Sequence, residues 1–89
     1  MGQVNIRIKF MPSGVSVNLE KMKEEIKKLL EKHGGKGSIF SEEPIAFGLK
    51  AVIATFLYPE EKEFEPVENE LAKIRDVNSV QIIDMRRAL

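Results

Sequence analysis

The chain has 89 residues, enough for one domain, taken as 1–89, with a modest core. Its fourteen basic and fourteen acidic side chains cancel, which argues against a role resting on phosphate contacts, where a net positive patch is the norm. Cysteine is absent, which removes disulfides, thiolate metal ligands and a cysteine nucleophile. No apolar run reaches the roughly 18 residues of a membrane helix. The first residues also lack the cationic-then-apolar pattern of a signal peptide, so a cytoplasmic protein with no membrane partner is expected. Abundant glutamate and lysine without cysteine is a composition also met in thermophiles.

Residues 3 to 11 alternate, with Val4, Ile6, Ile8 and Phe10 on one side and Gln3, Asn5, Arg7 and Lys9 on the other. Period two predicts a strand with one buried face, ended by Met11-Pro12-Ser13-Gly14. Asn18 is a good N-cap. Leu19, Met22, Ile26, Leu29 and Leu30 then recur at spacings of three and four, predicting an amphipathic helix over about 19 to 33. Glu24 and Lys28 are spaced to support it as an i,i+4 pair, and Gly34 suits a left-handed C-terminal position.

A second strand is expected within 36 to 47, and a clearer third from Leu49 to Tyr58, nearly all apolar and rich in β-formers. Pro59 stops it. Residues 59 to 70 hold six glutamates against one lysine, and Pro66 fits the first turn of a helix striped by Val67, Leu71 and Ile74. Val80, Ile82 and Ile83 predict a short fourth strand, after which the chain ends in Arg86-Arg87-Ala88-Leu89.

The order is βαββαβ. Two such halves fold as an α+β ferredoxin-like sandwich: a four-stranded antiparallel sheet with both helices on one face, strands one and three central. If Lys50 points to the open face, so do Val52, Phe56 and Tyr58. That would leave an apolar patch there, either covered by neighbouring side chains or offered to another chain.

No catalytic set emerges. His33 is the only histidine and ends a helix, where a cation suits the dipole. With no second histidine and no cysteine, zinc has no ligand set. Glu42 and Glu43, adjacent on a strand, point to opposite faces and cannot form an acid–base pair. Gly34-Gly35-Lys36-Gly37-Ser38 follows a helix and precedes a strand, the reverse of a phosphate loop, and reads as a cap and turn. RNA-reading modules of this topology carry aromatics on the central strands. Here strand one offers Asn5, Arg7 and Lys9, so no direct nucleic-acid partner is expected.

The unusual stretch is Pro44-Ile45-Ala46-Phe47-Gly48-Leu49-Lys50-Ala51. It joins two strands, where polar surface loops are the rule, yet it is apolar and aromatic. Phe47 either fills the rim of the sheet, with Gly48 allowing a bulge, or is offered to a partner. Lys50 by itself reads as a surface lysine, and Arg86 and Arg87 as a solvated tail.

In this block, in the opening strand ending at Met11-Pro12, and in Val77-Asn78-Ser79-Val80 through Asp84-Met85-Arg86-Arg87, the chain resembles the archaeal elongation factor 1-beta family. It is also similar to the C-terminal exchange domain of the eukaryotic factors. The resemblance covers essentially the whole length. It implies a ferredoxin-like fold and a partner, the translation GTPase elongation factor 1-alpha, from which GDP is released so that GTP can enter. It implies no enzymatic chemistry and no cofactor. Residue by residue it places a GTPase-contacting aromatic at Phe47, between two small residues, with Gly48 and Lys50 in the same partner-binding block. It places a basic residue that reaches the magnesium and phosphate region at Arg87, with Arg86 beside it. The eukaryotic residue is a lysine, and the tail here runs one residue longer past it.

The physical logic is independent of the family. Magnesium bridges phosphate to protein in a GTPase, so a cation pushed in competes with the metal. An apolar wedge can hold the GTPase in a state with poorer nucleotide contacts. A ferredoxin-like regulatory or RNA-binding module without exchange activity is the alternative reading.

Overall fold

The computed structural model describes residues 2–88. Strand β1 spans Gln3–Pro12, helix α1 Leu19–Lys32, β2 Lys36–Pro44, β3 Lys50–Pro59, α2 Glu65–Ala72 and β4 Val77–Ala88, with a single 3-10 turn, Ala46–Gly48, between β2 and β3. The strands form one antiparallel sheet in the order β2-β3-β1-β4. Strands one and three are central, as the topology rules require, and the fold is the ferredoxin-like α+β sandwich.

The alternating residues of β1 set the core. Ile6, Ile8 and Phe10 have no exposed surface, and they pack with Met22, Ile26 and Leu30 of α1 and Val67 and Leu71 of α2. Burying each such side chain contributes about 1.5–3 kcal/mol. Asn18 caps α1 by accepting from the Lys21 backbone N–H at 3.1 Å. Gly34, at φ 98°, turns the chain out of it. The stabilising ion pairs of α1 differ from the expected Glu24–Lys28 pair. Among the described residues they run through Lys23, which meets Glu20 at 3.0 Å and Glu42 at 2.8 Å.

Two expectations are corrected. First, Val52, Phe56 and Tyr58 do not form an open-face patch but lie under the helices. Cross-strand partners share a face, and Phe56 sits opposite Ile6 and Val52 opposite Phe10. Lys50 shares their parity yet is exposed, because it opens β3 at the rim. The open face of β3 carries Ala51, Ile53, Thr55 and Leu57 instead. Lys9 and Glu43, opposite Ile53 and Ala51, meet at 3.6 Å across that strand. Strand β2 falls within the expected 36 to 47, and Phe47 stands in the turn that follows it. Second, β4 is not short: its 12 residues run through Arg87, each arginine opposite a residue of β1. The terminal arginines therefore belong to the sheet backbone.

Aromatic packing fixes the acidic segment before α2. Phe64 stands edge-on to Tyr58 at 5.1 Å and tilted to Phe56 at 5.7 Å. The Tyr58 hydroxyl donates to the Glu63 carbonyl at 3.0 Å. Burial raises the Tyr58 pKa above its ordinary value, so the hydroxyl keeps its proton.

Candidate functional site

The β2–β3 connection closes on itself through its backbone. Ile45 N–H donates to the Leu49 carbonyl at 2.7 Å, and Leu49 N–H to that of Ala46 at 3.3 Å. Closing so tight a loop forces two successive residues into the left-handed region, Phe47 at φ 62° and ψ 31° and Gly48 at φ 79°. Glycine does this without a steric penalty. A bulky residue is a genuine outlier there, at about 1–3 kcal/mol. Nothing in the fold repays that cost, since Phe47 is 94% exposed. The residue is strained, apolar and held out into water.

A groove of about 300 Å³ flanks this tip, lined by Pro12, Gly14, Val15, Val17, Leu19, Gly48 and Lys50. Val15, 68% exposed, reaches to within 3.8 Å of where a Cβ on Gly48 would stand. It was missed in the sequence, although an apolar residue in the β1–α1 connection carries the same signal as Phe47. Phe47, Gly48 and Lys50 are thus gathered at one end of the molecule.

Arg86 and Arg87 lie at the other end. Arg87 pairs in the backbone with Val4, and Arg86 with Asn5. Neighbours along a strand face opposite ways. Arg86, with Asn5, looks to the open face, where its Nε donates to Asp84 at 3.2 Å. Arg87 reaches across the sheet end to Glu60, just past β3. Its Nε donates to Glu60 Oε2 at 3.0 Å and its Nη2 to Glu60 Oε1. These hydrogen bonds hold the Glu60 carboxyl below its ordinary range and raise the guanidinium further above its own. Glu60 had no signal in the sequence that would single it out from the other glutamates of its run.

The two groups cannot share a pocket. Val4, opposite Arg87, and Phe10, opposite Val52, are separated by β1 residues spanning about 20 Å at the usual strand rise. Phe47 lies farther still, beyond Lys50, in a molecule 42 Å long and 20 Å wide.

Elsewhere the chemistry is structural. Glu42 faces the helices, where hydrogen bonding from Lys23 lowers its pKa; Glu43 faces the opposite way, as alternation requires. His33 caps α1 and contacts Glu70 of α2 at 2.9 Å. The open-face residues of β1 and β3 include no aromatic. Among the described residues there is no group of three His, Cys, Asp or Glu side chains placed to hold a metal, and no helix long and apolar enough to cross a membrane.

Residues 5–88 match the family model described as the EF-1 guanine nucleotide exchange domain. The chain is 43% identical over 90 residues to elongation factor 1-beta of Methanocaldococcus jannaschii, covering 99% of this chain and 100% of that one. It is 42% identical over 88 residues to the Methanosarcina barkeri protein of the same name (98% and 99% covered), and 38% identical over 90 residues to that of Staphylothermus marinus (98% of each). With a strained aromatic at one end of its sheet and a paired arginine at the other, the chain belongs to the EF-1 guanine nucleotide exchange domain family and serves nucleotide exchange in translation elongation.

Proposed function

We propose that this chain promotes exchange of GDP for GTP on elongation factor 1-alpha in the cytoplasm, touching that GTPase with both ends of its sheet. The observation that carries the reading is Phe47, exposed and in a left-handed conformation. Strain of that kind persists where it serves a contact. The Phe47 end, with Gly48 and Lys50, grips one part of the GTPase. The Arg87 end, with Arg86 beside it, reaches the phosphate and magnesium region of another. A guanidinium there weakens the hold of the metal on phosphate, while the distant grip supplies binding energy. The two ends are too far apart to enter a single pocket.

The factor must bind the empty GTPase better than the GDP form, and linkage then requires GDP to weaken the factor equally. A coupling of about 3 kcal/mol amounts to roughly a 150-fold change in nucleotide affinity. No proton transfer and no bond-making step is called for.

The test is release of a fluorescent GDP analogue from the cognate GTPase. Release should accelerate on adding the chain. No change at stoichiometric concentration refutes the reading. The RNA-binding alternative lacks its stacking platform, since the aromatics of the central strands, Phe10, Phe56 and Tyr58, are buried beneath the helices.

A further inference from the structure

Glu60 makes a two-point contact with Arg87, and its carboxylate takes the Nε and Nη2 side of the guanidinium. An arginine fork carries donors on both of its edges. A side-on grip therefore leaves the Nη1 edge and the second Nη2 hydrogen free to meet another acceptor. Arg87 is 72% exposed, so that edge is open to a partner. Glu60 is itself fixed: its backbone N–H donates to the Gly2 carbonyl at 3.0 Å. A Cβ at Gly2 would stand 2.6 Å from Glu60 Oε2, so glycine at that position leaves room for the carboxylate where it is. Gly2, Glu60, Arg87 and Ala88 together line one shallow cleft at this sheet end.

The geometry points to Glu60 as a positioning residue that holds the Arg87 guanidinium in a fixed plane and presents its free edge to a phosphate-bearing nucleotide on the partner GTPase. This rests on the exchange reading given above. Without Glu60 the arginine samples many rotamers. Ordering such a side chain at an interface costs what corresponds to about a two- to tenfold change in equilibrium. Pre-ordering by Glu60 removes that cost at the moment the guanidinium meets phosphate. Lysine, a point charge on a flexible stem, could not be gripped on one edge and offered by another.

The experiment measures fluorescent GDP release from the cognate GTPase over a range of factor concentrations, with Glu60→Gln, Gly2→Ala and Arg87→Ala in the full chain. Glu60→Gln should lower the maximal rate about two- to tenfold, with little change in the half-saturating concentration and only a small change in melting temperature. Gly2→Ala, which displaces the carboxylate without removing it, should lower the rate in the same direction. In the Arg87→Ala background, Glu60→Gln should cause no further loss. An equal loss with and without Arg87 overturns the proposal, because Glu60 would then act through a contact of its own. An unaltered maximal rate in Glu60→Gln overturns it as well. Full activity of Arg87→Ala also overturns it, whereas the underlying exchange reading fails by a different sign: the parent chain itself would not accelerate release.

Discussion

Replacing Phe47 by glycine should leave the isolated domain at least as stable as before while making it a much poorer exchange factor. The ring is 94% exposed, so the fold loses almost no burial with it. The backbone at φ 62° costs a residue bearing a Cβ about 1–2 kcal/mol. Glycine recovers that, offset by about 0.4–1 kcal/mol of extra chain entropy in the unfolded state. A net gain of about 0.5 kcal/mol follows, or roughly 2–4 °C in melting temperature for a domain of this size. Phe47→Ala keeps a Cβ and hence the strain, and should melt within about 0.5 kcal/mol of the parent. In the complex, by contrast, both variants forfeit burial of a phenyl group, about 1.5–3 kcal/mol. That corresponds to roughly 10- to 150-fold weaker engagement of the GTPase. Thermal denaturation and fluorescent GDP release, run on the same preparations, read the two effects independently. If glycine destabilises the domain, the account of backbone strain is wrong. If exchange is undiminished in both variants, Phe47 is not a contact residue.

Arg87→Ala should slow exchange while moving the melting temperature little, because a solvent-screened surface ion pair contributes little to stability; a melting change that accounts for the lost activity would contradict this. Acid should destabilise the protein through Glu42 and Glu60. Their carboxyls titrate below the ordinary value of 4.5 when folded, so the unfolded chain takes up protons first. The stability they contribute is present above about pH 4.5 and lost as the pH falls through their lowered values. Denaturant midpoints measured across this range should decline less steeply in Glu42→Gln. Phe64→Ala should cost about 3 kcal/mol or more, since the ring is 9% exposed and packs on Phe56 and Tyr58; a urea titration checks it. A gel shift with tRNA alone should show no complex, and a salt-dependent shift would favour the RNA-binding alternative.

Much of the architecture could be read along the chain because single residues were unambiguous. The alternation of Val4 through Phe10 placed β1, and Asn18 and Gly34 bracketed α1 to within a residue. The face of β3 was not legible: nearly every residue from Leu49 to Tyr58 is apolar, so alternation vanishes and only pairing with β1 decides which side is which. The length of β4 was hidden for a related reason. An edge strand with charged outward residues, Asp84 and Arg86 among them, looks like a tail until its partner strand is known. At the site, Phe47 and Gly48 stood out by composition. The left-handed backbone of Phe47 did not, since that conformation is imposed by loop closure between Ile45 and Leu49. The separation of Phe47 from Arg87 was equally invisible, because it depends on β2–β3 and β4 ending at opposite limits of β1.

A small irregularity in β4 determines which guanidinium meets Glu60. Arg7 is opposite Asp84 but Ile8 is opposite Ile82, so Ile83 is an extra residue bulged out of the ladder. Downstream of it every side chain changes sides relative to an unbroken strand. Were Ile83 paired opposite Arg7 in an unbroken ladder, Arg86 would take the place opposite Val4 and inherit Glu60, and Arg87 would stand opposite Gln3. One inserted residue, far from both arginines in chemistry, thus acts as the selector between two otherwise equivalent cations.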